Sequence, residues 1–258
     1  RLRERGLQLP GDLWLVANVG EEGLGDLCGM KAVVDRFGAR VTAYLIIEGM
    51  ALGHIYHRAV AVQRYRISAH TAGGHAWSDY GQPSAVHELA ALTARIASLA
   101  LPVSPRTTLN VGMIAGGTSI NTIAASASLE LDMRSESPQS LAELVSRVDV
   151  LIETANRPGV RVDAEGIGRR PGGSIPAQHP LIRLAASCLR AQGVEPNLIG
   201  GSTDANVPLS RDIPALVMGV PSGGGAHTLS EYVDVEPVGR GLDALAKFVS
   251  EVWLISSG

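Results

Sequence analysis

Hydrophobic positions along the chain follow two kinds of pattern. Unbroken apolar runs stand near both ends, and alternating or helix-spaced segments fill the middle. Leu13–Val19 is almost continuously apolar, which predicts a strand buried on both faces of a parallel sheet. The "GDLCGMKAVVDRFG" segment after it has helical spacing closed by Gly38. Ala43–Gly49 ("AYLIIEG") repeats the strand pattern, and Ile213–Pro221 ("IPALVMGVP") repeats it again. "LIRLAASCLRAQG" and "GRGLDALAKFVSEVWLI" have the spacing of flanking helices. Strands alternating with helices in this way predict an α/β layer fold.

Between these parts the texture changes. "VAVQRYRISAH" alternates, "SAVHELAALTARIASLA" is helical, and "RTTLNVGMI" and "ASASLELDMRS" alternate. "SPQSLAELVSRVDVLIETAN" is helical, and "GVRVDAEG" alternates again. The order is β-α-β-β-α-β, the ferredoxin-like split unit, inserted in the α/β domain from about Tyr56 to Glu165. Ser137 followed by Pro138 is a strong helix start, with Ser137 as N-cap and Pro138 in the first turn.

Composition narrows the partners. The 258 residues are 45% hydrophobic and 18% charged, which is ordinary for a globular chain, and the net charge of −3 is spread without a basic stripe. Nucleic acid and anionic membrane surfaces are therefore not expected, and a small molecule or peptide fits better. No apolar run approaches the ~18 residues of a membrane span and no signal-peptide pattern opens the chain, so a soluble, cytoplasmic protein is expected. Cys28 and Cys188 lie far apart in helix-like contexts and read as buried thiols. The chain opens without Met, consistent with a start partway into a larger protein.

Ligands of open α/β sheets bind beyond the carboxyl ends of the strands, and a short set of polar residues is expected there. Glu21 and Glu22 follow the first apolar run, Glu48 closes the second, "GGSTDAN" (200–206) follows "NLI", and His227 follows the third. Two adjacent carboxylates at the end of a buried strand repel unless a cation compensates them. Carboxylates with an imidazole and no thiolate suit a hard or borderline divalent cation, zinc first, in a hydrolytic site with a position left for water. Taken singly, each has a plain structural explanation: a solvated helix start for the glutamates, a loop histidine for His227. Three acid or histidine sites on strands otherwise free of charge are harder to explain that way.

These residues resemble a known family, the co-catalytic di-zinc peptidases and amidohydrolases. Its members include glutamate carboxypeptidase, aminoacylase, acetylornithine deacetylase, succinyl-diaminopimelate desuccinylase and peptidase T. The resemblance spans nearly the whole chain and rests on "NVGEEGLGD", "IIEG", "GGHAWSDYGQPSAVH", "NVGMIAGGTSINTIAASASLELDMRS", "GGSTDAN" and "GAHTLSEYVD", in the family's order. It implies a zinc-peptidase-type α/β catalytic domain at residues 1–55 and 166–258, with residues 56–165 as a lid and dimerisation domain. It implies Glu21 as general base, Glu22 and His227 as ligands of one zinc, and Glu48 as a ligand of the other. His75 in "GGHAW" corresponds to the lid histidine, commonly reaching the partner subunit's site to stabilise an oxyanion. Asn121 in "GGTSIN" and Arg134 in "LDMRS" correspond to substrate-holding positions, Arg134 gripping a terminal carboxylate. Without the resemblance, His75 reads as a capping or packing histidine and Arg134 as half of a surface ion pair. The "GGSTDAN" loop is expected to line the substrate pocket.

Two departures bear on this. The family carries a His-x-Asp motif and a metal-bridging Asp upstream of the glutamate pair, whereas only twenty residues precede Glu21, with no His and only Asp12. On that pattern about a hundred N-terminal residues are expected to be missing, and the dinuclear site cannot be completed from this chain. The other departure is milder: Ala76 stands where many relatives have Ser after the lid histidine. The expected function is metal-dependent hydrolysis of an amide bond in a peptide or N-acyl amino acid by a homodimer with two zinc ions in its full-length form. The alternative is a catalytically incomplete fragment acting only as a dimerisation or ligand-binding module. A magnesium-dependent phosphotransfer enzyme is disfavoured, since no glycine-rich phosphate cradle follows a strand.

Overall fold

The computed structural model describes residues 2, 4, 6, 8–23, 25–226 and 228–257. The chain divides into two compact units, Arg1–Ala59 with Gly172–Gly258, and Val60–Pro171.

In the first unit, α1 (Cys28–Phe37) leads through a short 3-10 turn to β1 (Tyr44–Glu48), followed by β2 (His54–Ala59). After the insertion come β9 (Gly173–Ser174), α4 (Pro180–Arg190), β10 (Asn197–Gly201), α5 (Asn206–Leu209), β11 (Ala215–Gly219), β12 (Ser222–Gly224), β13 (Tyr232–Asp234) and α6 (Val238–Glu251). The main sheet has the order β1-β11-β2-β10, with β9 added beside β2. β1 and β11 are parallel, with Glu48 level with Gly219. All five residues of β11 are buried, and they alternate between two cores. Ala215 and Val217 join Leu27, Val34 of α1 and Leu209 of α5. Leu216 and Met218 join Leu181, Leu189 and Phe248 of α4 and α6. Helices thus cover both faces of the sheet, the condition under which a strand reads as an unbroken apolar run.

Leu13–Val19 corrects the first expectation, because no strand forms there and the segment is not buried. Trp14 is 59% exposed and Leu15 89%. Apolar character reports a preference for burial, but a strand also needs a neighbouring backbone, and among the described residues no ladder reaches this one. The segment runs along α1 instead: Trp14 packs on Phe37 at 5.0 Å between ring centroids, and Gly29 N–H donates to the Val19 carbonyl. Cys28 is a second correction, being exposed while Cys188 is buried. The buried stripe of α1 is Met30 and Val34, with Leu27 just before it, and Cys28 lies off that stripe.

The second unit contains β3 (Ala61–Thr71), β4 (Gly74–His75), α2 (Ala85–Ala97), β5 (Thr107–Gly116), β6 (Thr122–Ile123), β7 (Ser126–Ser135), α3 (Pro138–Ala155) and β8 (Val160–Arg170). Its sheet has the order β5-β7-β3-β8 with every pairing antiparallel. This is the ferredoxin-like arrangement of a β-α-β-β-α-β chain. Alternate residues, among them Ile67, Leu129, Leu131 and Met133, pack beneath α2 and α3 through Leu89, Leu92, Leu144 and Val148. The opposite residues of β7, Ser128, Glu130, Asp132 and Arg134, are polar, as period-two alternation predicts. The junctions fall a few residues beyond 55/56 and 165/166, because β2 pairs within the first unit and β8 continues to Arg170.

Candidate active-site residues

Glu21 and Glu22 sit in a tight loop between the Leu13–Val19 segment and α1. Gly20 has φ +78°, and a Cβ there would lie 2.4 Å from Cys28 Sγ, so the chain can turn into the acidic pair only through glycine. The Leu27 N–H donates to the Gly20 carbonyl at 2.8 Å and the Gly25 N–H to the Glu22 carbonyl at 3.1 Å. Glu21 is half-buried and Glu22 exposed, so the neighbouring side chains meet different surroundings. Glu48 is the last residue of β1, at its carboxyl end. β11, parallel to β1, continues into the β12–β13 hairpin, whose connecting loop carries position 227. His227 itself lies outside the described residues.

The "GGSTDAN" loop departs from expectation. β10 is parallel to β2, and β2 is antiparallel to β11, so β10 runs against β1 and β11. Its carboxyl end therefore does not coincide with theirs. Thr203, Asp204, Ala205 and Asn206 are buried, and Asn206 Oδ1 accepts from the Thr203 N–H at 2.8 Å, closing the loop on itself. Asn18, in the segment just before the acidic loop, donates from Nδ2 to Asp204 Oδ2 at 2.8 Å. Sequence reasoning assigned nothing to Asn18, and only the fold brings it to Asp204.

Among the described residues no group of three or more His, Cys, Asp or Glu side chains is arranged to hold a metal ion. The donor types at Glu22, Glu48 and His227 suit zinc, but the described geometry closes no metal centre.

In the second unit His75 and Asn121 are brought together. β4 pairs with β6, His75 opposite Thr122, and the Ala76 N–H donates to the Asn121 carbonyl at 2.9 Å. His75 is exposed, and its Nδ1 accepts from the Trp77 N–H at 3.2 Å and the Ser78 N–H at 3.3 Å. Backbone N–H groups only donate, so Nδ1 carries no proton and the neutral ring carries it on Nε2, which can donate. The ring thus caps its own turn while keeping a donor for a ligand. Asn121 Oδ1 accepts from Ser119 Oγ at 2.9 Å.

Arg134 stands apart from these two. It lies near the far end of β7 from Ser126, and Ser126–Arg134 spans about 27 Å at ~3.4 Å per residue. Its guanidinium engages Asp132, Nε to Oδ1 at 2.6 Å and Nη2 to Oδ2 at 3.2 Å. Asp132 was not singled out from the sequence, although its i−2 position puts it on the same strand face as Arg134.

Residues 1–251 match the family described as peptidase family M20/M25/M40. The chain belongs to this family of metal-dependent hydrolytic enzymes. Solved structures share its fold. An aminopeptidase PepT from Bacillus cereus superposes with a TM-score of 0.78 at 23% identity, covering 98% of this chain and 67% of that one. A tripeptidase from Staphylococcus aureus gives 0.79 at 23% identity, covering 100% and 67%. An aminobenzoyl-glutamate utilization protein from Klebsiella pneumoniae gives 0.65 at 18%, covering 91% and 60%. The chain thus spans about two-thirds of the first two. Comparison with curated proteins gave no match. Among the described residues no helix is long and apolar enough to cross a membrane.

Proposed function

We propose that the chain carries the proton-transfer and substrate-holding residues of a metal-dependent amidohydrolase acting on short peptides or N-acyl amino acids. The observation that carries the reading is the glycine-built acidic loop before α1, with Glu21 and Glu22 in different surroundings, inside a match to family M20 over residues 1–251. Glu21 takes the proton from the attacking water and returns it to the leaving amine. Glu22, Glu48 and His227 are the proposed cation ligands, zinc being favoured by their donor types. The names of the two higher-scoring neighbours, an aminopeptidase and a tripeptidase, favour a peptide substrate.

His75, through Nε2, donates to the developing oxyanion. Asn121 supports the same end of the substrate, and Arg134 binds a terminal carboxylate. A tripeptide spans about 10 Å, so one substrate cannot reach both the His75 end and the Arg134 end of the same sheet. This favours a homodimer in which each lid serves two sites, His75 acting in the partner's. Sedimentation velocity tests it, and a monomer at tens of micromolar contradicts it.

Metal binding separates this reading from a non-catalytic module. Equilibrium dialysis with zinc is expected to load the wild-type chain and to lose loading in Glu22→Ala and His227→Ala. Negligible zinc on the wild type would sink the metal assignment for this polypeptide.

A further inference from the structure

The polar face of the β5-β7-β3-β8 sheet carries two cross-strand charge clusters of opposite balance. In one, Arg66 lies between two acids, Glu130 at 3.0 Å and Glu165 at 3.2 Å. That guanidinium is spent on carboxylates of its own sheet. In the other, two guanidinium groups converge on one carboxylate. Arg64 Nε donates to Asp132 Oδ2 at 2.8 Å, and Arg134 donates from Nε and Nη2.

The register fixes this second cluster. Asp132 lies on β7, an interior strand, opposite Arg64 on β3 and Asn110 on β5. Ladders on both sides hold its backbone, and Arg64 holds its carboxylate from the neighbouring strand. Two residues on, Arg134 shares its face and is opposite Val62 and Thr108. The bond from Nε and Nη2 occupies one edge of the Arg134 guanidinium. Nη1 makes no hydrogen bond among the described residues, so the end-on edge is left for a ligand, and the side chain is 43% exposed.

We infer that Asp132 is a positioning residue, whose carboxylate locks the Arg134 guanidinium with its end-on edge toward the terminal carboxylate of a peptide or N-acyl amino acid. The inference rests on the proposed role of Arg134. Burial alone would raise the Asp132 carboxyl, but hydrogen bonds and charge from Arg134 and Arg64 outweigh it and hold it below the usual range. The acceptor is therefore ionised at neutral pH. A pre-set guanidinium loses less freedom on binding, an advantage of about tenfold.

The test compares the affinities of N-acetylmethionine and its C-terminal amide by calorimetry. The wild type is expected to prefer the acid, and Arg134→Ala to abolish that preference. Asp132→Asn and Asp132→Ala are expected to cut it about tenfold with amide affinity unchanged. A merely structural role would weaken both ligands alike. If Arg134→Ala abolishes the preference while both Asp132 variants keep it, the positioning role is overturned and the Arg134 reading stands. If Arg134→Ala keeps the preference, or the wild type has none, both fall. The Arg134 Nε–H NMR resonance gives a ligand-free readout. It should be resolved and slowly exchanging in the wild type and merge with bulk arginine in Asp132→Asn; an unchanged resonance overturns the inference.

Discussion

At the scale of single residues, the two cysteines are the clearest contrast. Burial, with a further push from Glu251 and partial relief from Lys247, raises the Cys188 thiol to about 11, whereas Cys28 is exposed on α1. At pH 7.5 a thiol reagent should label Cys28 in the folded chain and reach Cys188 only after unfolding; equal native rates would contradict this burial. Because the folded value is raised, the contribution of Cys188 is full below the ordinary thiol value of about 9 and is lost as pH rises toward 11. Cys188→Ala should flatten the stability loss in that window. The expectation that both thiols are buried failed for Cys28 because helical context does not say which side of α1 faces the core. Asp132 was hidden for a different reason. Its partner Arg134 is two residues away and visible in "LDMRS", but Arg64 comes from a strand 68 residues distant.

At the scale of elements, legibility followed how locally each element is determined. The start of α3 is local: Ser137 Oγ accepts from the Ser140 N–H at 3.2 Å and Pro138 opens the helix. Ser137→Ala should therefore cost about 1 kcal/mol in denaturant unfolding, and no measurable cost would mean the cap contributes nothing. β11 was readable because both of its faces really are covered, and its unbroken apolar run reports that. Leu13–Val19 shows the same run with no strand, since pairing depends on backbone elsewhere. The sense of β10 was likewise illegible. Only the antiparallel pairing of β2 with β11 reverses it, and that pairing covers just Tyr56 and Ile55. The short β4–β6 ladder, which sets His75 opposite Thr122 and so beside Asn121, has no periodic signal at all.

At the scale of the whole molecule, the order of the motifs was informative where single motifs were not. Paired glutamates, a strand-end acid and a loop histidine each have ordinary explanations, and His75 and Arg134 do make the local capping and ion-pair contacts those explanations require. The match over residues 1–251 is what ties the chain to one enzyme family. The central claim is that Glu21 moves the proton in amide hydrolysis. The most direct measurement is tripeptide hydrolysis, with added zinc, by the full-length wild type and by its Glu21→Gln variant. Turnover by the wild type that falls by ~10²–10⁴-fold in Glu21→Gln, with zinc still bound, is the expected result. Equal turnover by the two, or none by the zinc-loaded wild type, would contradict it.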